Sequence, residues 1–185
     1  QTTPVYQLNR KGVLKDVSPE VGDVMKHSLR FHEITHGYFD VTVKPAVDLF
    51  KEKVFEQKSK PTEQQLKEVF SLINARNISY QDKTIHFKKE GMGVTFDGIA
   101  KGYIVDRAAD ILSDRGIENY LINAGGDIRT KGSKHGKQPW VVAIEDPGKR
   151  HQYPDVIQMR DGAIATSGNY EVYFDKEKMF HHIVN

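Results

Sequence analysis

The sequence predicts an α+β fold, in which mixed or antiparallel sheets are flanked by helices. Runs with the apolar spacing of a helix alternate with short β-prone runs, and the chain contains no internal repeat. Tight turns join several of the β-prone runs directly. Because parallel neighbours need a long crossover connection, these turns indicate antiparallel pairing.

Composition limits the classes of function. With 185 residues and 38% hydrophobic content, the chain can form one sizeable core or two closely packed lobes. A net charge of +2 gives no sign of a nucleic-acid groove. The absence of cysteine excludes disulfides, thiolate metal sites and a cysteine nucleophile. No apolar run has membrane-spanning length, and the chain starts at Gln1, so we expect a processed or trimmed product in which a targeting segment could be missing.

The chain should begin with an irregular segment and then a long helix. Residues 1–17 are expected to be irregular, with a short strand over 5–8. Ser18-Pro19-Glu20 is a helix start, since it offers an N-cap hydroxyl, a proline at the first helical position and an acid in the first turn. His32 and His36 have the i, i+4 spacing of a metal pair. No third ligand accompanies them, so we interpret them as solvated or capping histidines.

The remaining elements are short. We predict a β-prone run over residues 38–43 and a helix from Pro45 to Phe50, followed by a flexible excursion or lobe boundary near 51–61. The capping box of Thr62 and Gln65 should open the next helix. Residues 78–80 and 84–87 are then expected to form a hairpin. In the second half we predict strands over residues 119–123, 128–131, 140–145, 156–160, 163–167, 171–174 and 179–184. Asp161-Gly162 is a hairpin signal, so the strands on either side of it are expected to pair.

The chain is organised around residues 94–103. Residues 94–96 read as the end of a buried strand, Asp97-Gly98 as a turn, and Ala100 as the start of a helix. A helix N-terminus offers unsatisfied N–H groups and a favourable dipole to an anion, and Lys101 adds a positive charge. These features are typical of a phosphate site with room for a cation. An ordinary strand-to-helix turn with Asp97 as N-cap explains the same residues, so both interpretations stay open.

Four polar motifs stand beside predicted strand ends. They are Asp97-Gly98-Ile99-Ala100-Lys101-Gly102, Asn123-Ala124-Gly125-Gly126-Asp127, Ala165-Thr166-Ser167-Gly168-Asn169-Tyr170 and His181-His182-Ile183. In this order they closely resemble the ApbE family, the bacterial FAD:protein FMN transferases. An upstream segment, residues 36–43, is similar to the family's S-x-G-x-F-D-P-T-V. The resemblance implies a single ApbE-like, T-fold-related domain over residues 1–185.

The sequence departs from the family's pattern at several positions. The usual D-x-G-G-I-A-K-G corresponds to residues 95–102, where the acid has moved two places along, to Asp97, and one glycine is lost. Val41 and Lys44 replace a common Pro and Gly. The family's first FAD-binding segment and its D-x-x-x-T segment, which supplies side-chain magnesium ligands, would lie outside residues 1–185. We therefore expect a chain truncated at both ends.

The resemblance implies a reaction and a set of site residues. The family splits FAD at its pyrophosphate, passes the FMN phosphoryl group to a Thr or Ser hydroxyl of a target protein and releases AMP, with magnesium on the phosphates. The main-chain carbonyl of Ala100 would be a magnesium ligand, and Lys101 with the turn amides would hold the diphosphate. The implied FAD-binding residues are Asp97, Gly98, Ile99, Ala100, Lys101, Gly125, Gly126, Asp127, Thr166, Ser167, Gly168 and Tyr170.

The implied partner is an acceptor flavoprotein subunit, and no nucleic acid is expected. The implied location is the bacterial periplasm or the cell surface, as a lipoprotein. Membrane contact would come only through an N-terminal lipid anchor that is absent from this chain.

The adjacent pair His181 and His182 is the expected source of a general base, because imidazole titrates near neutral pH. Adjacent strand residues face opposite sides, so only one of the two can point into the pocket. The family keeps the histidine directly before Ile, which selects His182 as the catalytic residue. The alternative is that both histidines only fill a strand.

Other classes of function stay open. A hydrolase would use water in place of the protein hydroxyl and release FMN and AMP. A flavin-binding protein without turnover would suit a chain that lacks the metal-binding segment. A dinucleotide-dependent dehydrogenase is disfavoured, because no G-x-G-x-x-G follows a strand. Label from FAD that becomes covalently attached to an acceptor protein would distinguish the transferase from the others.

Overall fold

The structure is a computed structural model of the chain and describes residues 3–146 and 152–167. The chain divides into two compact units, which among the described residues comprise residues 3–99 and residues 100–146 with 152–167. Each helix among the described residues is too short or too polar to span a bilayer. The single domain over residues 1–185 stays a prediction.

Among its described residues, the first unit combines helices with a three-stranded antiparallel sheet. Its helices are α1 (Pro4–Lys11), α2 (Pro19–Ile34), α3 (Lys44–Phe50) and α4 (Glu63–Phe70), and its strands are β1 (Val13–Leu14), β2 (Ile78–Gln81) and β3 (Thr84–Phe87). Short 3-10 helices cover Val41–Val43 and Ala75–Asn77, and the polar segment after α3 contains a π-helix, Lys51–Glu56. Strand β3 lies between β1 and β2. The fully buried side chains of the core include Leu8, Met25, Ile85 and Val94.

Local signals predict several of these elements correctly. The Ser18 hydroxyl accepts a hydrogen bond from the backbone N–H of Val21 and caps α2. Thr62 and Gln65 form the predicted capping box of α4. The hairpin of β2 and β3 is also present, and both residues of its turn, Asp82-Lys83, have positive φ (47° and 55°). Such φ values suit the twist of a two-residue hairpin turn.

The predicted strand over residues 5–8 is wrong, because this segment lies in α1. The Thr3 hydroxyl accepts a hydrogen bond from the backbone N–H of Tyr6, and Pro4 is the first helical residue. Gly12 ends the helix in the left-handed region, with φ of 67°. A Thr-Pro start and a glycine stop are therefore the decisive local signals here.

The β-prone run over residues 38–43 is not a strand either. The Asp40 carboxylate accepts hydrogen bonds from the backbone N–H groups of Thr42 (2.7 Å) and Ala75 (3.0 Å), and the first of these bonds caps the 3-10 helix that follows. His32 Nδ1 lies 3.1 Å from the same carboxylate, and both side chains are at most 10% exposed. The interpretation of His32 as a solvated or capping histidine is wrong, because it is a buried partner of Asp40.

Residues 94–96 do not form the predicted strand, although Val94 is fully buried. The side-chain amide of Asn9 on α1 donates to the Val94 carbonyl (2.8 Å) and accepts from the Val94 N–H (2.7 Å). Thr95 N–H donates to the carbonyl of Val41 (2.9 Å). A side chain thus satisfies backbone groups that a neighbouring strand would satisfy in a sheet.

In the described part of the second unit, one helix packs against antiparallel strands. Its elements are α5 (Ala100–Asp114), β4 (Tyr120–Ala124), β5 (Asp127–Lys131), β6 (Trp140–Ile144), β7 (Asp155–Met159) and β8 (Gly162–Ile164). Strand β5 lies between β4 and β8, and β6 pairs with β7. Helix α5 packs against β4 and β5 and buries Val105 and Ala109. Helices with antiparallel sheets confirm the predicted α+β fold class.

The predicted hairpin across Asp161-Gly162 is wrong. Strand β7 pairs with β6, whereas β8 pairs with β5, so the two strands lie in different sheets. Gly162 does not have the positive φ that the second position of a type I′ hairpin turn requires. The Asp161 carboxylate accepts the backbone N–H of Gly132 instead (3.0 Å). The strands predicted over 171–174 and 179–184 lie outside the described residues.

Candidate functional site

A diglycine turn between β4 and β5 forms the centre of the candidate site. Ala124 pairs with Asp127, so the connection consists of Gly125 and Gly126 alone. Both glycines have positive φ, 64° and 98°, as a two-residue hairpin turn of type I′ requires. The side-chain oxygen of Asn123 accepts the N–H of Gly126 (3.0 Å). We call Gly125 and Gly126 the diglycine turn.

Lys101 reaches the diglycine turn from the first helical turn of α5. Its Nζ donates to the carbonyl of Gly125 (3.2 Å) and lies 3.1 Å from Oδ1 of Asp127. The Asp127 side chain is 15% exposed and that of Lys101 is 50% exposed, so the ion pair sits at the edge of solvent. The ammonium predicted to hold a diphosphate is therefore already bound to two oxygen atoms of this chain.

Thr166 lies beside the same turn. Strand β8 pairs antiparallel with β5, with Ile164 opposite Ile128, and the chain that leaves β8 then passes the turn. A Cβ built on Gly126 would lie 3.3 Å from the Thr166 hydroxyl oxygen, which is closer than most side-chain contacts. Thr166 and Ser167 are both exposed. Their hydroxyls are thus available to a ligand at the turn.

The segment Asp97-Gly98-Ile99 belongs to the first unit. Ile99 N–H donates to the carbonyl of Phe96 (2.9 Å), and the N–H of Asp97 donates to the Thr95 hydroxyl (3.3 Å). Helix α5 begins at Ala100, so Asp97 stands too early in the chain to be its N-cap. Asp97 and Gly98 are exposed.

One predicted magnesium ligand, the main-chain carbonyl of Ala100, lies among the described residues. Ala100 is the first residue of α5, so its carbonyl oxygen accepts a helical hydrogen bond and keeps a second lone pair. Over residues 3–146 and 152–167, no group of three or more His, Asp or Glu side chains is placed to hold a metal ion. Gly168, Tyr170 and His182 lie outside the described residues, and their roles stay predictions.

Sequence reasoning missed several contacts of this site, two of which differ in how far the sequence signals them. One is the hydrogen bond that the Gly126 N–H donates to the Asn123 side chain, for which an Asn shortly before two glycines is a recognisable turn signal. The other is the pairing of Lys101 with Asp127, which joins the start of a helix to the start of a strand. No local pattern predicts that contact, because it depends on how α5 packs on the sheet.

A sequence model of the ApbE family matches residues 1–185. The chain is similar to the FAD:protein FMN transferase of Vibrio cholerae, with 34% identity over 175 residues, which is 91% of this chain and 52% of that protein. It is also similar to the FAD:protein FMN transferase of Haemophilus influenzae, with 32% identity over 181 residues, or 92% of this chain and 51% of that protein. The chain spans about half the length of the curated relatives it matches.

Solved structures show the same likeness. The ApbE protein from Thermotoga maritima superposes with a TM-score of 0.85 at 32% identity, over 97% of this chain and 60% of that one. The flavin transferase ApbE from Vibrio cholerae superposes with a TM-score of 0.76 at 32% identity, over 90% of this chain and 55% of that one.

Proposed function

The chain belongs to the ApbE family, and from that premise we propose that it transfers FMN from FAD to an acceptor protein. The observation that carries the proposal is similarity along nine-tenths of the chain to proteins named for this reaction. The clustering of Lys101, Asp127 and Thr166 around the diglycine turn supports it, since these are residues that the family motifs single out.

The reaction we propose is a phosphoryl transfer. The hydroxyl oxygen of a Thr or Ser on the acceptor bonds to the phosphorus of the FMN half, the bond from that phosphorus to the bridging oxygen breaks, and AMP leaves with the electron pair. The hydroxyl proton passes to a base, for which we propose His182. Such a transfer depends mainly on positioning and on donors directed at the developing negative charge.

The described residues would contribute binding and orientation. The glycines of the turn carry no side chain, so a cofactor can approach the backbone closely. The exposed hydroxyls of Thr166 and Ser167 can donate to phosphate oxygens. The first turn of α5 adds the positive end of a helix dipole close to Lys101.

We further propose that the transfer depends on magnesium, with the Ala100 carbonyl as one ligand. When bound, the ion would neutralise charge on the phosphates, and its other protein ligands would come from outside the described residues. Residence in the bacterial periplasm or at the cell surface is a proposal that rests on the family resemblance. Cell fractionation followed by immunodetection of the protein tests the location.

The proposed reaction can be tested with FAD that is labelled in the FMN phosphate. The protein, expressed from its complete gene, is incubated with labelled FAD, magnesium and a candidate acceptor, and AMP is measured beside protein-bound label. We expect AMP and covalent label in equal amounts. AMP with free labelled FMN would instead identify a hydrolase, and bound FAD without AMP would identify a flavin-binding protein.

A further inference from the structure

We propose that Lys101 is a positioning residue, which locks the peptide group between Gly125 and Gly126 and is itself held by Asp127. The inference rests on the proposed function in one respect, namely that the diglycine turn is part of the FAD site. It differs from the expectation that Lys101 holds the diphosphate directly.

Lys101 and Asn123 form hydrogen bonds with the two polar groups of one peptide unit, its carbonyl and its N–H. Its carbonyl is that of Gly125, which accepts from Lys101 Nζ (3.2 Å). Its N–H is that of Gly126, which donates to the side-chain oxygen of Asn123 (3.0 Å). Lys101 and Asn123 therefore bind the same peptide group at its two opposite ends. We call this pair of hydrogen bonds the lock.

Such a lock has a specific consequence for a diglycine turn. Turns of type I′ and type II′ differ mainly by rotation of the central peptide group, and glycine at both positions permits either form. With φ of 64° and 98°, the turn has the form with two positive φ values. Rotation of the peptide would break both bonds, so the lock selects one of the two forms and fixes which way the carbonyl points.

Asp127 keeps Lys101 in this position. Its carboxylate lies 3.1 Å from Nζ and is mostly buried, whereas half of the Lys101 side chain is exposed. Without that carboxylate, a long and flexible side chain would extend into water, because an exposed lysine loses entropy when it is fixed. The pair also has no net charge, so a ligand meets a neutralised ammonium rather than a free cation.

The lock and a direct phosphate contact predict opposite effects for Asp127→Asn. If Lys101 works through the turn, Lys101→Met and Asp127→Asn should both weaken FAD binding, and the double variant should be no worse than either single one. If Lys101 binds the diphosphate directly, Asp127→Asn frees its charge and should leave FAD binding unchanged or make it tighter.

The experiment measures two quantities in the protein expressed from its complete gene: the exchange rate of the Gly126 amide without ligand, by NMR, and the dissociation constant for FAD, by flavin fluorescence. For Lys101→Met and Asp127→Asn we expect about 3- to 10-fold faster exchange and a similar loss of affinity, since the lost bond is charge-assisted but partly exposed. Lys101→Arg should restore both quantities nearly to wild type. Lys137→Met, which changes an exposed lysine of the same unit, should alter neither.

Several outcomes would overturn the proposal. These are unchanged exchange in both variants, additive losses of FAD affinity in the double variant, or tighter FAD binding by Asp127→Asn. The exchange measurement needs no FAD, so it decides the role of Lys101 even if the wild-type protein fails to bind FAD. That failure would count against the proposed function instead. A variant that does not fold is replaced by Lys101→Gln, which removes the charge and keeps a donor.

Discussion

At the scale of single residues, the two glycines of the diglycine turn are subject to different constraints. Gly125 has φ of 64°, close to the left-handed helical region, and a Cβ added there would meet no atom within 4 Å. Gly126 has φ of 98°, and an added Cβ would lie 3.3 Å from the Thr166 hydroxyl oxygen. A side chain at the second position would thus meet both backbone strain and a close contact, whereas one at the first would meet backbone strain alone.

Gly126→Ala should therefore destabilise the protein more than Gly125→Ala. We expect a loss of about 1–2 kcal/mol in the free energy of unfolding for Gly125→Ala, from the left-handed backbone alone. Gly126→Ala should lose more, because Thr166 must also move away. Denaturant unfolding of both variants measures the difference. Equal losses, or a larger loss at Gly125, would show that Thr166 does not approach the turn as described.

His182→Ala should lower turnover far more than it weakens FAD binding. A positioned general base contributes about 100-fold to 10,000-fold in rate, and it acts chiefly in the transition state. His181→Ala is the matched control, since the two side chains would face opposite sides of the strand predicted over residues 179–184. Steady-state kinetics and FAD titrations of both variants check this prediction. A more damaging His181→Ala, or wild-type turnover in both, would show that the base is assigned wrongly.

At the scale of elements, the sequence predicts caps and turns that form between residues close in the chain. It does not predict hydrogen bonds or strand pairings between residues that are far apart in the chain. The capping box of Thr62 and Gln65 lies within four residues and is predicted correctly. The partner of Val94 is the side chain of Asn9, 85 residues away, and no local pattern reveals it. The signal at Asp161-Gly162 likewise fails, because the choice of partner strands depends on the packing of the whole sheet.

Asn9→Ala should destabilise the first unit strongly. The substitution leaves the N–H and the carbonyl of the fully buried Val94 without their hydrogen bonds to Asn9. Unsatisfied buried groups of this kind cost about 1–3 kcal/mol each, so for the two groups we expect a loss of about 2–6 kcal/mol in the free energy of unfolding. Gln64→Ala, which removes an exposed amide bonded to Glu68, should change it by no more than about 0.5 kcal/mol. Similar losses in both variants would contradict this account of residues 94–96.

At the scale of the whole molecule, the fold class follows from the sequence, whereas the site follows only in part. The glycines at positions 125 and 126 mark the turn in the sequence, and Lys101 and Asp127 stand out within the motifs. Their mutual contact needs the packing of α5 on β4 and β5. The two compact units, which meet in sequence between Ile99 and Ala100, are not visible in the sequence, because no change of composition marks that boundary.

Turnover of the protein expressed from its complete gene should require a divalent cation. Magnesium prefers oxygen ligands, and when bound it would neutralise negative charge on the pyrophosphate of FAD in the proposed reaction. We expect that a chelator abolishes turnover and that added magnesium restores it. Full turnover in the presence of the chelator would contradict the proposed dependence.

The most direct test of the central claim is the intact mass of an acceptor protein after incubation with this protein, FAD and magnesium. We predict a mass increase equal to one FMN phosphoryl group less the hydroxyl proton, located on a Thr or Ser by fragmentation, and no increase when NAD replaces FAD. An acceptor of unchanged mass, while FAD is consumed to FMN and AMP, would contradict the claim that this chain transfers FMN to protein.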